Sequence, residues 1–251
     1  MSRVAWIAGA GKGLGRAVAL SLVSRGWTVA ASARSETDLL TLASESARGT
    51  GAVFPFVVDV TDEAAMMATV AAIEEKIGPL DLVILNAGTH EPVRAREFSV
   101  EPFRKLFETN VMGVVHGLAA VLPRLIARRV GHVVVVSSVA GYRGLPTGSA
   151  YGATKAALTN MCEALKPELD RYGVRITVVN PGFIRTPLTD KNPFKMPFLM
   201  EPDDAAERLV RGLDSGRFEI TFPRRFTWFL KLLRCLPYAL YFPLVRNLDK
   251  E

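Results

Sequence analysis

Three residues in the middle of the chain have the types and spacing of a proton-transfer site. Tyr151 and Lys155 lie four residues apart in the segment Tyr-Gly-Ala-Thr-Lys, and Ser138 precedes the tyrosine by thirteen residues. Residues four apart on a helix share a face, so the Lys155 charge would favour the Tyr151 phenolate and lower its pKa. The Ser138 hydroxyl could donate a hydrogen bond to a carbonyl oxygen. These residue types predict acid–base chemistry at a carbonyl or alcohol group.

A glycine-rich loop near the start of the chain adds a nucleotide site. Gly9, Gly13 and Gly15 lie between a short apolar strand, Val4–Ala8, and a helix that begins at Leu14. Phosphate binding needs backbone N–H groups and a helix N-terminus at close range, and side chains there would obstruct it. A glycine-rich turn without a ligand is the alternative. With the tyrosine, lysine and serine, the loop predicts hydride transfer with a nicotinamide nucleotide, whose oxidised ring would also favour the phenolate.

The charges beside this loop favour NADP(H) over NAD. NAD sites usually have an acid at the end of the second strand to hold the ribose hydroxyls, but the second strand here ends at Ala33 and Arg34. Lys12, inside the loop, is a second cation, and two cations at the 2′ position fit a phosphate. After the third strand, Asp59 and Val60 would reach the adenine. The alternatives are two ordinary surface cations and a structural role for the aspartate.

Apolar strands alternate with helical segments along the chain. Seven strands are predicted, near residues 4–8, 28–33, 53–58, 80–85, 131–136, 174–179 and 219–222. Such alternation is typical of right-handed βαβ units, so we predict an α/β fold, a Rossmann-like doubly wound parallel sheet of about seven strands with helices on both faces. Pro55 predicts that the third strand lies at a sheet edge. We expect one domain over residues 1–251, with ligands at the carboxyl ends of the strands.

This series of motifs resembles the short-chain dehydrogenase/reductase family in its single-domain form, from residue 3 to about residue 222. The glycine loop is similar to the family's Thr-Gly-x3-Gly-x-Gly, with Ala8 in place of the threonine, and the pairing of Lys12 with Arg34 resembles the NADP-preferring members. The resemblance implies that Asn110 is a catalytic asparagine, which could hold a water that links the active-site lysine to solvent. It also implies cofactor contacts after strands four and six, from Asn86, Ala87, Gly88, Pro181, Gly182, the Ile184 backbone and the Thr186 side chain.

Two segments near the C-terminus bear on the substrate. Residues 188–200 are predicted to form a lid, and an apolar lid favours an apolar substrate, with ordinary packing as the alternative. Its apolar residues are Phe194, Met196, Pro197, Phe198, Leu199 and Met200. Residues 224–246 extend the domain beyond its last strand as an aromatic, cationic stretch broken by Pro237 and Pro243. This extension predicts either an amphipathic segment on a membrane surface or a segment packed over the substrate mouth or a neighbouring subunit.

These features predict an NADP(H)-dependent enzyme that interconverts a lipophilic aldehyde or ketone and the corresponding alcohol, with Tyr151 as acid and base. A 3-oxoacyl-carrier-protein reductase is the enzymatic alternative, in which Arg128 and Arg129 could belong to a docking patch for the acidic carrier. A non-enzymatic NADP(H)-sensing module is the second alternative. Loss of a catalytic residue would favour that module, and each residue of the expected set is present.

Charge and cysteine usage limit the partners and the location. The 31 Lys and Arg against 25 Asp and Glu give a net charge of +6, and the tail cations alternate with aliphatic residues, which argues against nucleic-acid binding. Cys162 and Cys235 form no CxxC pair, and the three histidines lack ligand spacing, so we expect no disulfide framework and no metal site. We find no basic-then-apolar signal segment, and we expect a cytoplasmic protein, with peripheral membrane association as an option. The resemblance implies a homodimer or homotetramer.

Overall fold

A computed structural model of the chain describes residues 3–47, 49–191 and 196–246. Within these residues seven parallel strands form one sheet in the order β3-β2-β1-β4-β5-β6-β7. The strands are Val4–Ala8 (β1), Thr28–Ala33 (β2), Ala52–Val57 (β3), Leu82–Leu85 (β4), His132–Val136 (β5), Arg175–Pro181 (β6) and Glu219–Phe222 (β7). The predicted Rossmann-like doubly wound sheet is therefore confirmed. Pro55 lies in β3 at the sheet edge, as predicted.

Helices follow the strands in the described part of the chain. They are Gly13–Val23 (α1), Glu36–Ser46 (α2), Glu63–Lys76 (α3), Val100–Phe107 (α4), Gly113–Arg128 (α5), Ser149–Arg171 (α6), Pro202–Leu213 (α7), Arg224–Arg234 (α8) and Tyr238–Val245 (α9). Short 3₁₀ turns occupy Ala95–Glu97, Val139–Gly141 and Thr189–Lys191. The helices α8 and α9 lie beyond the last strand and form the C-terminal extension.

Two apolar layers cover the two faces of the sheet. Strand β1 shows why, because its side chains alternate between the layers. Ala5 and Ile7 pack with α1, α2 and α7, whereas Val4, Trp6 and Ala8 pack with α3, α5 and α6. All five residues are buried. A continuous apolar run is what a strand needs when both of its faces are covered by helices.

A single wider turn interrupts the long helical stretch after β4. Residues Glu108–Met112 form a π-helical turn between α4 and α5. The combined stretch, Val100–Arg128, is long and apolar enough to cross a membrane by length and composition, but half of its most apolar window is buried inside the protein. That burial is typical of a core helix. The π turn places Asn110, which is fully buried, toward the edge of the sheet that carries the site.

The sheet order defines where a ligand crevice must lie. The chain passes from β1 to β2 on one side and later returns to place β4 on the other side of β1. The loops after β1 and β4 therefore diverge at the carboxyl ends of these strands and leave a crevice between them. The glycine-rich loop follows β1, and Asn86-Ala87-Gly88 follows β4, so both motifs line this switch point.

Candidate active site

The structure brings Ser138, Tyr151 and Lys155 together at the carboxyl edge of the sheet. Ser138 follows β5, and its Oγ accepts a hydrogen bond of 3.1 Å from the N–H of Ala140. Tyr151 and Lys155 lie in the first two turns of α6, where the four-residue spacing puts them on one face. The Tyr151 side chain lies beside the Ser138 hydroxyl. The serine and the lysine are both buried, with exposed fractions of 8% and 4%.

Burial sets the protonation of this pair in a direction that the sequence did not predict. It raises the pKa of Tyr151 to about 12, and the hydrogen bond from Ser138 opposes that rise. Burial also lowers the pKa of Lys155 to about 8. The Lys155 ammonium lies 5.7 Å from the centre of the Tyr151 ring and donates 2.9 Å to the carbonyl of Val136. In the polypeptide by itself desolvation is the largest influence on the pKa of Tyr151, and the expected lowering of this pKa by Lys155 together with an oxidised nicotinamide stays a prediction.

Asn110 joins the loop after β4 to α6. Its Oδ1 accepts 2.7 Å from the N–H of Thr89, and its Nδ2 donates 2.9 Å to the Thr89 carbonyl and 3.1 Å to Thr154 Oγ1. A Cβ added to Gly88 would lie 3.4 Å from Asn110 Oδ1 and 3.6 Å from Lys155 Nζ. The asparagine and the lysine thus face the same glycine. A water held between them stays a prediction.

The glycine loop has the geometry of a cradle that side chains would fill. Gly9 and Gly13 have φ values of +91° and +55°, which L side chains rarely adopt. A Cβ on Gly15 would overlap the carbonyl oxygen of Gly9, which also accepts 2.8 Å from Asn86 Nδ2. The loop ends in α1, where Leu14 is buried. These residues fit the phosphates of a dinucleotide, because close backbone approach and a helix N-terminus are both present.

The two cations expected to hold a 2′-phosphate are each beside a carboxylate. Lys12 Nζ lies 3.4 Å from Asp38, and Arg34 Nη1 lies 3.9 Å from Asp59. Both cationic side chains are more than half exposed. The sequence analysis missed Asp38, which lies in the first turn of α2 rather than at the end of β2. Asp59 has a structural partner too, since its Oδ1 accepts from the N–H and the hydroxyl of Thr61.

The remaining expected cofactor residues follow β3, β4 and β6 at the carboxyl edge of the sheet. After β3, the Val60 carbonyl accepts 2.9 Å from His116 Nδ1, and after β4 the Ala87 N–H donates 2.9 Å to the Ala8 carbonyl. Pro181 ends β6. A Cβ on Gly13 would lie 2.8 Å from Thr186 Cγ2, so the loop after β6 reaches the glycine loop.

The loop after β6 is held by a residue that the sequence analysis missed. The Thr189 hydroxyl donates 2.6 Å to the Ile184 carbonyl and accepts 3.0 Å from the Thr186 N–H. Ile184 also forms an isolated parallel bridge with Met200, which holds the end of the lid segment beside the loop after β6. Of the lid residues, Phe194 lies outside the described residues.

The C-terminal extension packs against the loop that carries Ser138. Phe226 of α8 lies 5.7 Å, centroid to centroid, from both Phe183 and Phe198. It forms a buried cluster with Val139 and Tyr142 in the loop that carries Ser138. A Cβ on Gly182 would lie 3.1 Å from the Phe226 ring. The inner side of the extension therefore packs within this chain against the loop of Ser138, whereas its outer face is exposed. Coverage of a substrate mouth by the extension stays a prediction.

A polar cluster links α8 to strand β7 near the Phe226 cluster. The Glu219 carboxylate, at the start of β7, accepts hydrogen bonds from the Tyr142 hydroxyl, from Asn180 Nδ2 at 2.8 Å and from Lys231 Nζ. Although burial opposes ionisation, these donors hold the pKa of Glu219 below its ordinary value. Burial and the carboxylate together raise the pKa of Tyr142.

The loop after β5 also binds the junction between α8 and α9. Arg143 Nη1 donates to two carbonyls at the end of α8, at 2.8 Å to Leu233 and 3.1 Å to Arg234, and to the Leu236 carbonyl just beyond it at 2.6 Å. Its guanidinium lies 3.8 Å from the centre of the Tyr241 ring. One side chain from the loop of Ser138 thus holds both helices of the extension.

The arginines considered for carrier docking lie elsewhere and have structural partners. Arg128 is paired with Glu74 at 3.3 Å and donates 2.7 Å to the carbonyl of Leu80, just before β4. Arg129 donates 3.0 Å to the Arg171 carbonyl. Both therefore lie toward the amino ends of the strands, opposite the candidate site. The described geometry gives no support to a docking patch at this position.

Comparison with known proteins identifies relatives of the whole chain. The family model of short-chain dehydrogenases matches residues 3–196. An uncharacterized oxidoreductase of Myxococcus xanthus is 39% identical over 246 residues, which cover 98% of this chain and 97% of that protein.

Solved structures with bound nucleotides share the fold. An alcohol dehydrogenase from Thermococcus sibiricus, complexed with 5-hydroxy-NADP, has a TM-score of 0.79 and 30% identity, with coverage of 88% of this chain and 96% of that chain. A short-chain dehydrogenase/reductase from Burkholderia phymatum, in complex with NAD, has a TM-score of 0.83 and 25% identity, with coverage of 92% of each chain. These similar structures contain either nucleotide.

Proposed function

The chain belongs to the short-chain dehydrogenase/reductase family, and we propose that it is an NADP(H)-dependent oxidoreductase that interconverts lipophilic aldehydes or ketones and their alcohols. The observation that carries this proposal is the convergence of the buried Ser138 and Lys155 on Tyr151, whose ring centre lies 5.7 Å from the Lys155 ammonium. It supports acid–base chemistry at a single oxygen atom.

The chemistry follows from the protonation of these side chains. A phenol with a pKa near 12 is a neutral donor at pH 7, so Tyr151 can give its proton to an alkoxide oxygen as that charge develops. The Ser138 hydroxyl, which lies beside the same phenol, could donate its one O–H to that oxygen and stabilise the charge. Lys155, buried with a pKa near 8, is protonated in most molecules at pH 7 and favours the phenolate that is left. When bound, a nicotinamide nucleotide supplies the hydride.

Support for NADP(H) comes from the cations beside the glycine loop. Lys12 and Arg34 follow adjacent strands, and both side chains are largely exposed, so both can turn from their carboxylates toward a 2′-phosphate. Asp38 opposes this assignment, because its carboxylate lies beside Lys12 and would repel a phosphate. The end of β2, where Arg34 follows Ala33 and no acid is present, still supports the phosphate, although Asp38 and Asp59 lie beside the two cations.

Support for a lipophilic substrate comes from the wall of the site. Phe183, Phe198 and Phe226 converge beside Val139, which directly follows Ser138. An apolar wall next to the polarising hydroxyl favours a carbonyl compound with an apolar chain, because the aromatic rings would bury it.

The proposal is tested by following NADPH oxidation with aldehydes and ketones of increasing chain length. We expect kcat/KM to rise with chain length, and Tyr151→Phe to lower kcat by about 10²–10⁴-fold with NADPH affinity retained, because only the proton donor is removed. Tyr172→Phe is the matched control, since this tyrosine is an exposed residue at the far end of α6.

Two results would contradict the proposal. Equal activity of Tyr151→Phe and the unaltered protein would remove the tyrosine from the reaction. Tight NADPH binding without reduction of any carbonyl would favour a nucleotide-sensing module instead.

A further inference from the structure

The outer face of the C-terminal extension is an unusual concentration of exposed apolar surface. Among the described residues, seventeen large hydrophobic side chains are exposed, and seven of them lie within residues 228–244. They are Trp228, Phe229, Leu232, Tyr238, Leu240, Phe242 and Leu244, with exposed fractions from 57% to 70%. Single exposed apolar residues are ordinary on a protein surface, but a cluster of this density marks an interaction site.

The helical spacing shows that this exposure is not incomplete packing. In α8, Phe226 and Leu230 turn inward to the cluster beside Ser138, whereas Trp228 and Leu232, one turn apart, lie on the opposite side. The helix is therefore apolar on two sides. Its inner side is already buried by the protein, so the outer side is left for a different partner.

The charges around this face indicate the chemistry of that partner. Residues 224–246 contain five cations and no acidic residue. Lys231 is paired with Glu219. The others are Arg224, Arg225, Arg234 and Arg246; all four are exposed, and they make no ion pair within the described part of the chain. These arginines lie at the ends of α8 and just after α9, so they flank the apolar side chains, and the face pairs apolar surface with positive charge.

We propose that this face, formed by α8 and α9, binds the surface of an anionic lipid bilayer. Aromatic and aliphatic side chains would enter the boundary between headgroups and acyl chains, and the flanking arginines would contact anionic headgroups. A second copy of the chain fits the face less well. A twofold contact would bring the same uncompensated cations of both copies together, and like charges repel. The proposal does not depend on which carbonyl compound the enzyme reduces.

Binding through this face would bring the bilayer close to the candidate site. The same helix that faces the bilayer contributes Phe226 to the apolar wall beside Ser138. A bilayer bound at the outer side of α8 would therefore lie one helix diameter, about 10 Å, from that wall.

Vesicle binding of the full-length protein tests the proposal. We expect co-sedimentation with vesicles that contain phosphatidylglycerol, weaker binding to pure phosphatidylcholine, and weakening by salt. Trp6 is buried and Trp27 half-buried beneath Arg3, so a blue shift of tryptophan fluorescence on binding would report mainly on Trp228.

Two variants separate the apolar and electrostatic contributions. Trp228→Glu/Leu232→Glu should abolish binding, because it places carboxylates on the face. Arg224→Gln/Arg225→Gln should weaken binding about thirtyfold, since each cation near an anionic surface contributes roughly a fivefold factor. The matched control is Leu40→Glu/Val130→Glu, which alters two exposed apolar residues on other surfaces and should bind like the unaltered protein.

The outcomes that would overturn the proposal are distinct from failure of the enzymatic proposal. No binding to anionic vesicles, or equal binding by Trp228→Glu/Leu232→Glu, would overturn it. An oligomer that this variant dissociates, without vesicle binding by the unaltered protein, would assign the face to a second copy. NADPH oxidation with a water-soluble aldehyde reports on the reaction alone, and it should be unchanged in the variant.

Discussion

At the scale of single residues, burial shifts the pKa values of the two central side chains of the candidate site in opposite directions. Tyr151 and Lys155 are both desolvated, which keeps the phenol neutral and makes the ammonium easier to deprotonate. The Lys155 ammonium donates a hydrogen bond to the Val136 carbonyl. The resting protein is therefore set to donate a proton rather than to accept one. Oxidation of an alcohol would need the reverse, which any added positive charge near the phenol would favour.

The residue that should decide cofactor choice is Lys12. The Lys12 ammonium would contact the 2′-phosphate, a group that NADH lacks. Lys12→Ala should therefore weaken NADPH binding about tenfold to a hundredfold and change NADH binding little. Asp38→Asn should have the opposite effect on NADPH, since it removes the carboxylate 3.4 Å from the lysine. Fluorescence titration of each variant with NADPH and with NADH measures the ratio of the two dissociation constants.

A distant lysine provides the control for this experiment. Lys105, exposed and paired with Glu91, lies in α4 away from the loop, so Lys105→Ala should leave both affinities unchanged. A Lys12→Ala protein that lost NADH and NADPH affinity equally would show that the lysine only shapes the glycine loop.

At the scale of elements, local patterns could be predicted and long-range partners could not. Strand β1 was predictable because five consecutive apolar residues are buried on both faces, and Tyr151 with Lys155 because a helix turn relates them. The π turn at Glu108–Met112 leaves no mark in the apolar pattern. The pairing of Tyr142 with Glu219 joins residues 77 apart in the chain, so only the fold reveals it.

The same reasoning explains which parts of the extension the sequence predicted. The amphipathic pattern of residues 224–246 was visible, but both faces of α8 are apolar, so the pattern alone could not tell packing from membrane contact. The hydrogen bonds from Arg143 to the carbonyls of Leu233, Arg234 and Leu236 show that the inner side of the extension packs against the loop after β5. These contacts join residues 90 or more apart in the chain, so the sequence pattern could not reveal them.

Arg143 should therefore control how firmly the extension is docked. Arg143→Met keeps the apolar stem but leaves the carbonyls at the end of α8 without their donor, and we expect docking to weaken by about 2 kcal/mol. Limited proteolysis with trypsin, whose sites occur at Arg224, Arg225 and Arg234, should become about thirtyfold faster in this segment, because cleavage follows the population of the open form.

A surface arginine gives the matched comparison. Arg211→Met removes an exposed pair with Glu207 on α7, which is worth little, and should leave the cleavage rate unchanged. If mass spectrometry found the same cleavage of residues 224–246 in Arg143→Met as in the unaltered protein, the extension would be held by its apolar contacts alone.

At the scale of the whole molecule, the two edges of the sheet differ in chemistry. The carboxyl edge carries the candidate site and the extension. The amino edge carries a cavity of about 440 Å³ whose charged and titratable lining consists of Arg3, Arg25, Arg175, Asp81, Asp214 and His132. His132 begins β5, is 5% exposed, and has its Nε2 2.8 Å from Thr177 Oγ1. A buried imidazole among arginines makes this edge sensitive to acid.

The pKa of His132 predicts a specific loss of stability at low pH. Burial, and secondarily the charge of Arg175, lowers this pKa from 6.5 to about 4. Between these values the unfolded chain binds a proton that the folded chain does not, so the free energy of unfolding falls as pH decreases from 6.5 to 4. At about 1.4 kcal/mol per pH unit, lowering the pH from 7 to 4.5 should cost about 2–3 kcal/mol through this residue.

Urea unfolding of the unaltered protein and of His132→Gln at pH 7 and pH 4.5 isolates this contribution. Carboxylates that titrate in the same range are common to both proteins, so they cancel when the two pH dependences are subtracted. Glutamine has no proton to gain, and we expect the variant to lose about 2–3 kcal/mol less than the unaltered protein over this interval, whatever its stability at pH 7. Equal losses would mean that the histidine is charged in the folded chain, with its proton shared with Thr177 and solvent in the cavity rather than excluded by burial.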